Sequence, residues 1–115
     1  MEIGTDIEQI GRFRKLLYKN NQSFYKNIFT LGEIKYCLSK ADPYPHFAAR
    51  FSAKEAVVKA VGGSVYQAKD IEVVNDKDGK PLIKLKTKNL KLKTKVLISL
   101  AHTKDYAIAF AIWLN

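Results

Sequence analysis

The sequence predicts an α+β fold, with an N-terminal strand and helices packed on an antiparallel sheet. Two observations carry this. Between about residues 9 and 61 apolar side chains recur at helical spacing, and after residue 70 they fall into short runs rich in Val, Ile, Phe and Trp, separated by turn residues. Strand, then helices, then strands is the order of an α+β fold rather than a doubly wound sheet. At 115 residues the chain has room for one domain, residues 1–115, with one modest core.

Each element has its own reason. In the opening strand, Ile3 to Glu8, the apolar Ile3 and Ile7 share a face with Thr5, which leaves Gly4, Asp6 and Glu8 on the other. From Gln9 to Lys19 the spacing of Ile10, Phe13, Leu16 and Leu17 predicts a helix with Arg12, Arg14, Lys15 and Lys19 around its polar side. A further helical stretch spans Ser23 to Ile28. Thr30-Leu31-Gly32-Glu33 is a capping box, so a helix starts there and ends before Asp42-Pro43. Pro45 and Gly62-Gly63 frame the longest helix, His46 to Val61. Its apolar residues cover nearly the whole circumference, so it is mostly buried, and Arg50, Lys54, Glu55 and Lys59 need partners. Asp70 to Asn75 and Pro81 to Thr87 form a hairpin around Asp78-Gly79. Val96 to Ala101 and Tyr106 to Leu114 form a second, turning at His102-Thr103-Lys104-Asp105, while Lys88 to Lys95 is ambiguous.

Charge narrows the function. Twenty Lys and Arg against 11 Asp and Glu give +9, which in so small a chain predicts attraction to nucleic acid, a phosphorylated cofactor or an acidic protein. The start carries no basic and apolar leader and no run approaches the roughly 20 apolar residues of a membrane span, so the expected location is the cytoplasm. The single cysteine, Cys37, has no disulfide partner in the chain and reads as a buried, inert thiol. Two histidines far apart in sequence argue against a histidine zinc site. No Walker loop, dinucleotide fingerprint or nucleophile elbow is present.

The candidate site residues each have two readings. Asp6 and Glu8, on one strand face, are either two ligands of a hard cation such as Mg²⁺ or a solvated acidic face. Glu55 and Lys59, four apart on a buried helix, form either a structural ion pair or, with Asp6, a site for a metal and the phosphates it holds. His102 at a hairpin tip reads most simply as a surface residue, and His46 beside Pro45 offers less still. Lys84, Lys86 and Lys88 read as a solvated edge strand guarded against aggregation.

Together the motifs resemble the holo-[acyl-carrier-protein] synthases, the small trimeric class of 4′-phosphopantetheinyl transferases. Gly4-Thr5-Asp6-Ile7-Glu8-Gln9-Ile10-Gly11-Arg12 is similar to the N-terminal motif Gly-x-Asp-Ile-x-x-Ile-x-Arg, and Phe29-Thr30-x-x-Glu33 to Phe-Thr-x-x-Glu. Arg50-Phe51-Ser52-Ala53-Lys54-Glu55-Ala56-x-x-Lys59-Ala60 resembles the signature Arg-Phe-x-x-Lys-Glu-Ala-x-x-Lys-Ala. The hairpin from Asp70 through Asp78-Gly79-Lys80-Pro81 and the segment Ser99 to Ala107 continue the match along essentially the whole chain.

The resemblance implies the 4′-phosphopantetheinyl transferase fold and transfer of phosphopantetheine from coenzyme A to a serine of apo-acyl carrier protein, for fatty acid biosynthesis, with release of adenosine 3′,5′-bisphosphate. By the same resemblance Asp6 and Glu55 would hold Mg²⁺, and Lys59 would contact the phosphates. Glu55 would help activate the serine through water. Arg50, Lys54, His102 and Thr103 would line the coenzyme A site, and Arg12 would face the carrier protein. A homotrimer would place each site between subunits, the Asp76 to Pro81 hairpin of one reaching toward nucleotide at the next. Glu8, in Asp-x-Glu with Asp6, is similar to the larger two-domain transferases and would be a third metal ligand. The stretch from Gly62 to Lys69 is shorter than the family loop and lacks its Gly-x-Gly. The competing reading is a small basic RNA- or DNA-binding module without catalysis, drawn from the charge and the six Tyr and six Phe. Such a module has no use for Asp6 and Glu55, and its cations would form one stripe rather than spread along the chain.

Overall fold

In a computed structural model, which describes residues 1–62, 66–86 and 95–114, the order of elements is β1 (Glu2–Gln9), α1 (Ile10–Arg14), α2 (Gln22–Ile28), α3 (Leu31–Leu38), α4 (Tyr44–Val61), β2 (Ile71–Asn75), β3 (Pro81–Leu85), β4 (Lys95–His102) and β5 (Tyr106–Leu114). Short 3₁₀ turns occupy Tyr18–Asn20 and Ala68–Asp70. One antiparallel sheet has the order β1-β5-β4, and β2 and β3 pair separately. The α+β expectation is borne out.

Helix α4 is the axis on which everything else packs. The first half of α4, with Phe47, Ala48 and Ala49, closes a core with Ile10, Phe13, Tyr25, Phe29, Ile34 and Cys37. Its second half, with Ala53, Ala56, Val57 and Ala60, closes another with Ile71, Val73, Val96, Ile98, Ala109 and Ala111. Small residues on both sides bring the helix close to the sheet. A Cβ on Gly4 would lie 2.1 Å from the Ala56 carbonyl oxygen, so that position of β1 admits glycine alone.

The predicted helix from Gln9 to Lys19 is shorter than its apolar stripe. It stops at Arg14 because the buried Tyr25 hydroxyl caps the carbonyls of Leu16 and Phe13, at 2.7 and 3.2 Å, and Leu17 turns extended. That competition comes from α2 and is invisible to periodicity. The capping box at Thr30 and Glu33 forms as expected, and Gly79 turns the β2–β3 hairpin with φ of 86°. Thr87, most of the Lys88 to Lys95 stretch and Gly63 of the shortened loop lie outside the described residues.

Strand β1 inverts the usual pattern of an apolar inner face, and the outer face of the large sheet is apolar too. Gly4, Asp6 and Glu8 point toward α4, whereas Ile3, Ile7, Leu97, Ile108 and Phe110 stand exposed on the opposite face, Ile3 and Ile7 more than 60% so. A hollow of about 270 Å³ lies at one end of that face, lined by Ile7, Ala101, His102, Thr103, Tyr106 and Ile108.

Candidate active site

The acidic group grows from the contact of β1 with α4. Ser52 donates to the Asp6 carbonyl oxygen at 2.9 Å, and the Lys59 ammonium donates to the Thr5 carbonyl at 3.1 Å and to Asp6 Oδ1 at 3.3 Å. The ion pair of Lys59 is therefore with Asp6, not with Glu55 one turn away. Asp6 Oδ2 is buried and has no hydrogen-bond partner. A buried carboxylate oxygen with an unused lone pair is costly unless something electropositive sits on it.

Glu8 and Glu55 complete the negative environment. Burial pushes the Glu8 carboxyl up to about 7, helped by the neighbouring Asp6 and Glu55 carboxylates and opposed by Arg12. Arg12 reaches Glu8 Oε2 at 3.0 Å with its side chain 66% exposed. Crowded hard oxygen donors around an unsatisfied oxygen fit a divalent cation such as Mg²⁺, which takes one or two carboxylates and completes its shell with phosphate and water. Among the described residues no three acids, histidines or cysteines have the arrangement of a complete metal cluster. The Glu8 carboxylate is engaged by Arg12.

A second group lies across α4. His102 and Glu8 flank the same residue of β5, Ala107, from opposite sides, which puts their strands two spacings or about 10 Å apart. Arg50, 3% exposed, donates from Nη2 to Asn75 Oδ1 at 2.5 Å, and Asn75 in turn donates to the Gly79 carbonyl, tying the guanidinium to the β2–β3 turn. The Thr103 hydroxyl accepts from the Tyr106 amide at 3.1 Å, which shapes the hairpin that carries the exposed His102.

One expected site residue does not belong to either group. Lys54 is wholly buried, and its ammonium donates to Glu33 Oε1 at 2.8 Å, to the Ala68 carbonyl at 2.9 Å and to the Ile71 carbonyl. All three protons are committed inside the protein, so Lys54 is a brace and does not line a ligand site. Glu33 also accepts from the amides of Thr30 and Val73, both at 2.8 Å, and thereby ties α3 to β2. Sequence reading missed four residues near the candidate groups. Gly4 was legible as the one small residue on the inward strand face; Ser52, Asn75 and the approach of His46 to His102 left no local trace.

Comparisons with known proteins agree with this architecture. A family model of the 4′-phosphopantetheinyl transferase superfamily matches residues 2–111. A holo-[acyl-carrier-protein] synthase of Chlamydia caviae is 45% identical over 117 residues, covering 97% of this chain and 95% of its own. One from Thermodesulfovibrio yellowstonii is 42% identical over 111 residues, covering 96% and 95%. Among solved structures, the Bacillus anthracis holo-(acyl-carrier-protein) synthase in complex with CoA (3′,5′-ADP) superimposes with a TM-score of 0.81 at 32% identity, covering 97% of this chain and 94% of that one. The Helicobacter pylori enzyme in complex with coenzyme A gives 0.84 at 26%, covering 97% and 99%. None of these relatives supports the nucleic-acid-binding alternative.

Proposed function

This chain belongs to the holo-[acyl-carrier-protein] synthases of the 4′-phosphopantetheinyl transferase superfamily, and from that premise we propose that it moves the phosphopantetheine arm of coenzyme A onto a serine of apo-acyl carrier protein. The observation that carries the reading is the buried, unpartnered Asp6 Oδ2, held beside Lys59 and near Glu8 and Glu55. Its chemistry is that of a seat for a cation bearing a pyrophosphate.

In this reading the serine oxygen attacks the pantetheine-bearing phosphorus, the pyrophosphate P–O bond breaks, and adenosine 3′,5′-bisphosphate leaves with the electron pair. Such a displacement needs positioning and charge neutralisation rather than a covalent protein nucleophile. Asp6 and Glu55 would hold Mg²⁺, which when bound supplies charge to the phosphate oxygens. Lys59, 57% exposed at its side chain, turns from Asp6 toward the phosphates, and Glu55 takes the serine proton through water. Arg12, largely free of burial, meets acids of the carrier protein, an encounter that the +9 net charge accelerates.

One feature favours a homotrimer with shared sites. The exposed apolar sheet face, with Ile3, Ile7, Ile108 and Phe110, is the kind of surface that a second copy covers. No described helix is long and apolar enough to cross a membrane, and the proposed location is the cytoplasm. The test is the intact mass of apo-acyl carrier protein after incubation with the protein, coenzyme A and Mg²⁺. A gain of one phosphopantetheine group that EDTA abolishes is the expected result; no gain with any of several carrier proteins would overturn the proposal.

A further inference from the structure

The flank of α4 that carries Arg50 also gathers side chains with no part in the reaction outlined above. The Arg50 guanidinium carbon stands 3.9 Å from the centre of the Tyr36 ring, and the Lys40 ammonium stands 4.7 Å from it. His46 meets the same ring edge-on at 5.9 Å, and its other side faces His102 at 6.4 Å between ring centres. Two histidines 56 residues apart in sequence are neighbours in space.

The charge around them is one-sided. The groups that face His46 are Tyr36 from α3, Lys40 and Asp42 from the turn that follows, Arg50 from α4 and His102 from β4. Asp42 is the one acid among them, and Arg14 already holds it at 2.7 Å. Arg50 Nε is buried and donates to nothing. Two permanent cations, an unused buried N–H and a preoccupied acid favour an anion at this place. Burial, then Lys40, Arg50 and His102, hold His46 below the ordinary imidazole value, so it stands neutral at pH 7 while the site is empty. A dianion set among these cations offsets their two charges and removes the repulsion that keeps the ring neutral.

We infer that His46 is a further residue of the nucleotide site, where it takes up the proton that balances a phosphomonoester dianion bound against Arg50 and His102. The inference rests on the proposed use of a coenzyme A nucleotide and adds to it a residue and a proton. It also explains why an imidazole sits here rather than a third lysine: a permanent charge would oppose Lys40 and Arg50 in the empty protein, whereas imidazole becomes charged only when the phosphate arrives.

The full chain titrated calorimetrically with adenosine 3′,5′-bisphosphate near pH 7, in two buffers of different ionisation enthalpy, tests this. The expected result is net proton uptake per site that falls by at least half in His46→Phe, which keeps the ring contacts. His46→Gln should behave likewise. With only two histidines, the imidazole signals in a proton NMR spectrum give a second readout on the unmodified protein, assigned with His102→Gln. The His46 signal should move to the protonated position on adding the bisphosphate. Binding with equal proton uptake in wild type and His46→Phe, or movement of the His102 signal alone, overturns the inference and leaves the functional reading standing. Failure of the wild-type protein to bind the bisphosphate overturns both.

Discussion

Lys54 and Lys59 leave α4 five residues apart, and each meets a carboxylate. Around Lys54 every valence is filled: Glu33 and two backbone carbonyls take its protons, Glu33 accepts two amides besides, and both side chains are 1% exposed. Around Lys59 the accounts stay open. Its side chain is 57% exposed, its bond to Asp6 is 3.3 Å long, and the second oxygen of Asp6 has nothing to bind. A saturated pair fixes the helix; an unsaturated one beside it keeps donors and acceptors in reserve for a ligand. Burial of an ion pair is by itself weak support for stability, since desolvation cancels most of the attraction. What distinguishes the Lys54 pair is the number of backbone groups it satisfies.

The largest effect should come from breaking the saturated pair. Lys54→Met leaves the Glu33 carboxylate buried without its cation, and the loss should be about 3–5 kcal/mol, read as a lowered midpoint in urea unfolding. Replacing Glu33 as well should not restore stability, because the amides of Thr30 and Val73 would lose their acceptor. A stable, well-folded Lys54→Met protein would erase the contrast.

On the open side the cost should fall on turnover instead. Glu55→Gln, nearly isosteric and half-buried, should fold normally and lose about a hundredfold or more in turnover, the scale on which a single charge-stabilising group acts. Unchanged turnover at saturating Mg²⁺ would remove Glu55 from the mechanism. Arg12→Ala should raise the Michaelis constant for carrier protein by about tenfold, equivalent to ~1.4 kcal/mol, with little change for coenzyme A. Arg12 is mostly exposed, and the buried Glu8 carboxyl, already raised to about 7, takes up a proton when the guanidinium is removed, so the melting temperature should move little. Equal losses for both substrates would contradict a carrier-facing role.

The smallest effect belongs to Cys37, which lies in the core beside Ile34 and Phe47. Burial pushes its thiol up to about 12, the nearby positive charges notwithstanding. The folded protein therefore keeps a proton that the unfolded chain loses from about pH 9, so any contribution of this group to stability is intact below pH 9.0 and declines as pH rises toward about 12. Iodoacetamide at pH 8 should leave the native thiol unmodified and should label it completely in guanidinium.

How much of this was legible in the sequence follows from the range of the interactions. The capping box at Thr30 and Glu33, the turn at Gly79, the strand from Tyr106 to Leu114 and the buried character of α4 rest on contacts within a few residues, and these appear as spacing and residue type. So does the division of β1 into an Ile3–Ile7 face and an Asp6–Glu8 face, although which of the two faces is buried does not. Alternation is symmetric, and only packing against the alanines of α4 selects the acidic face as the inner one. The end of α1 is likewise decided by Tyr25 from another helix. For the same reason the motif Arg50 to Lys59 identified charged residues that need partners without saying which partners they take. Helical geometry turns Lys54 and Lys59 to different neighbours; the tertiary fold supplies Glu33 to one and Asp6 to the other, and so locks one lysine inside the protein and leaves the other exposed beside an unsatisfied carboxylate oxygen.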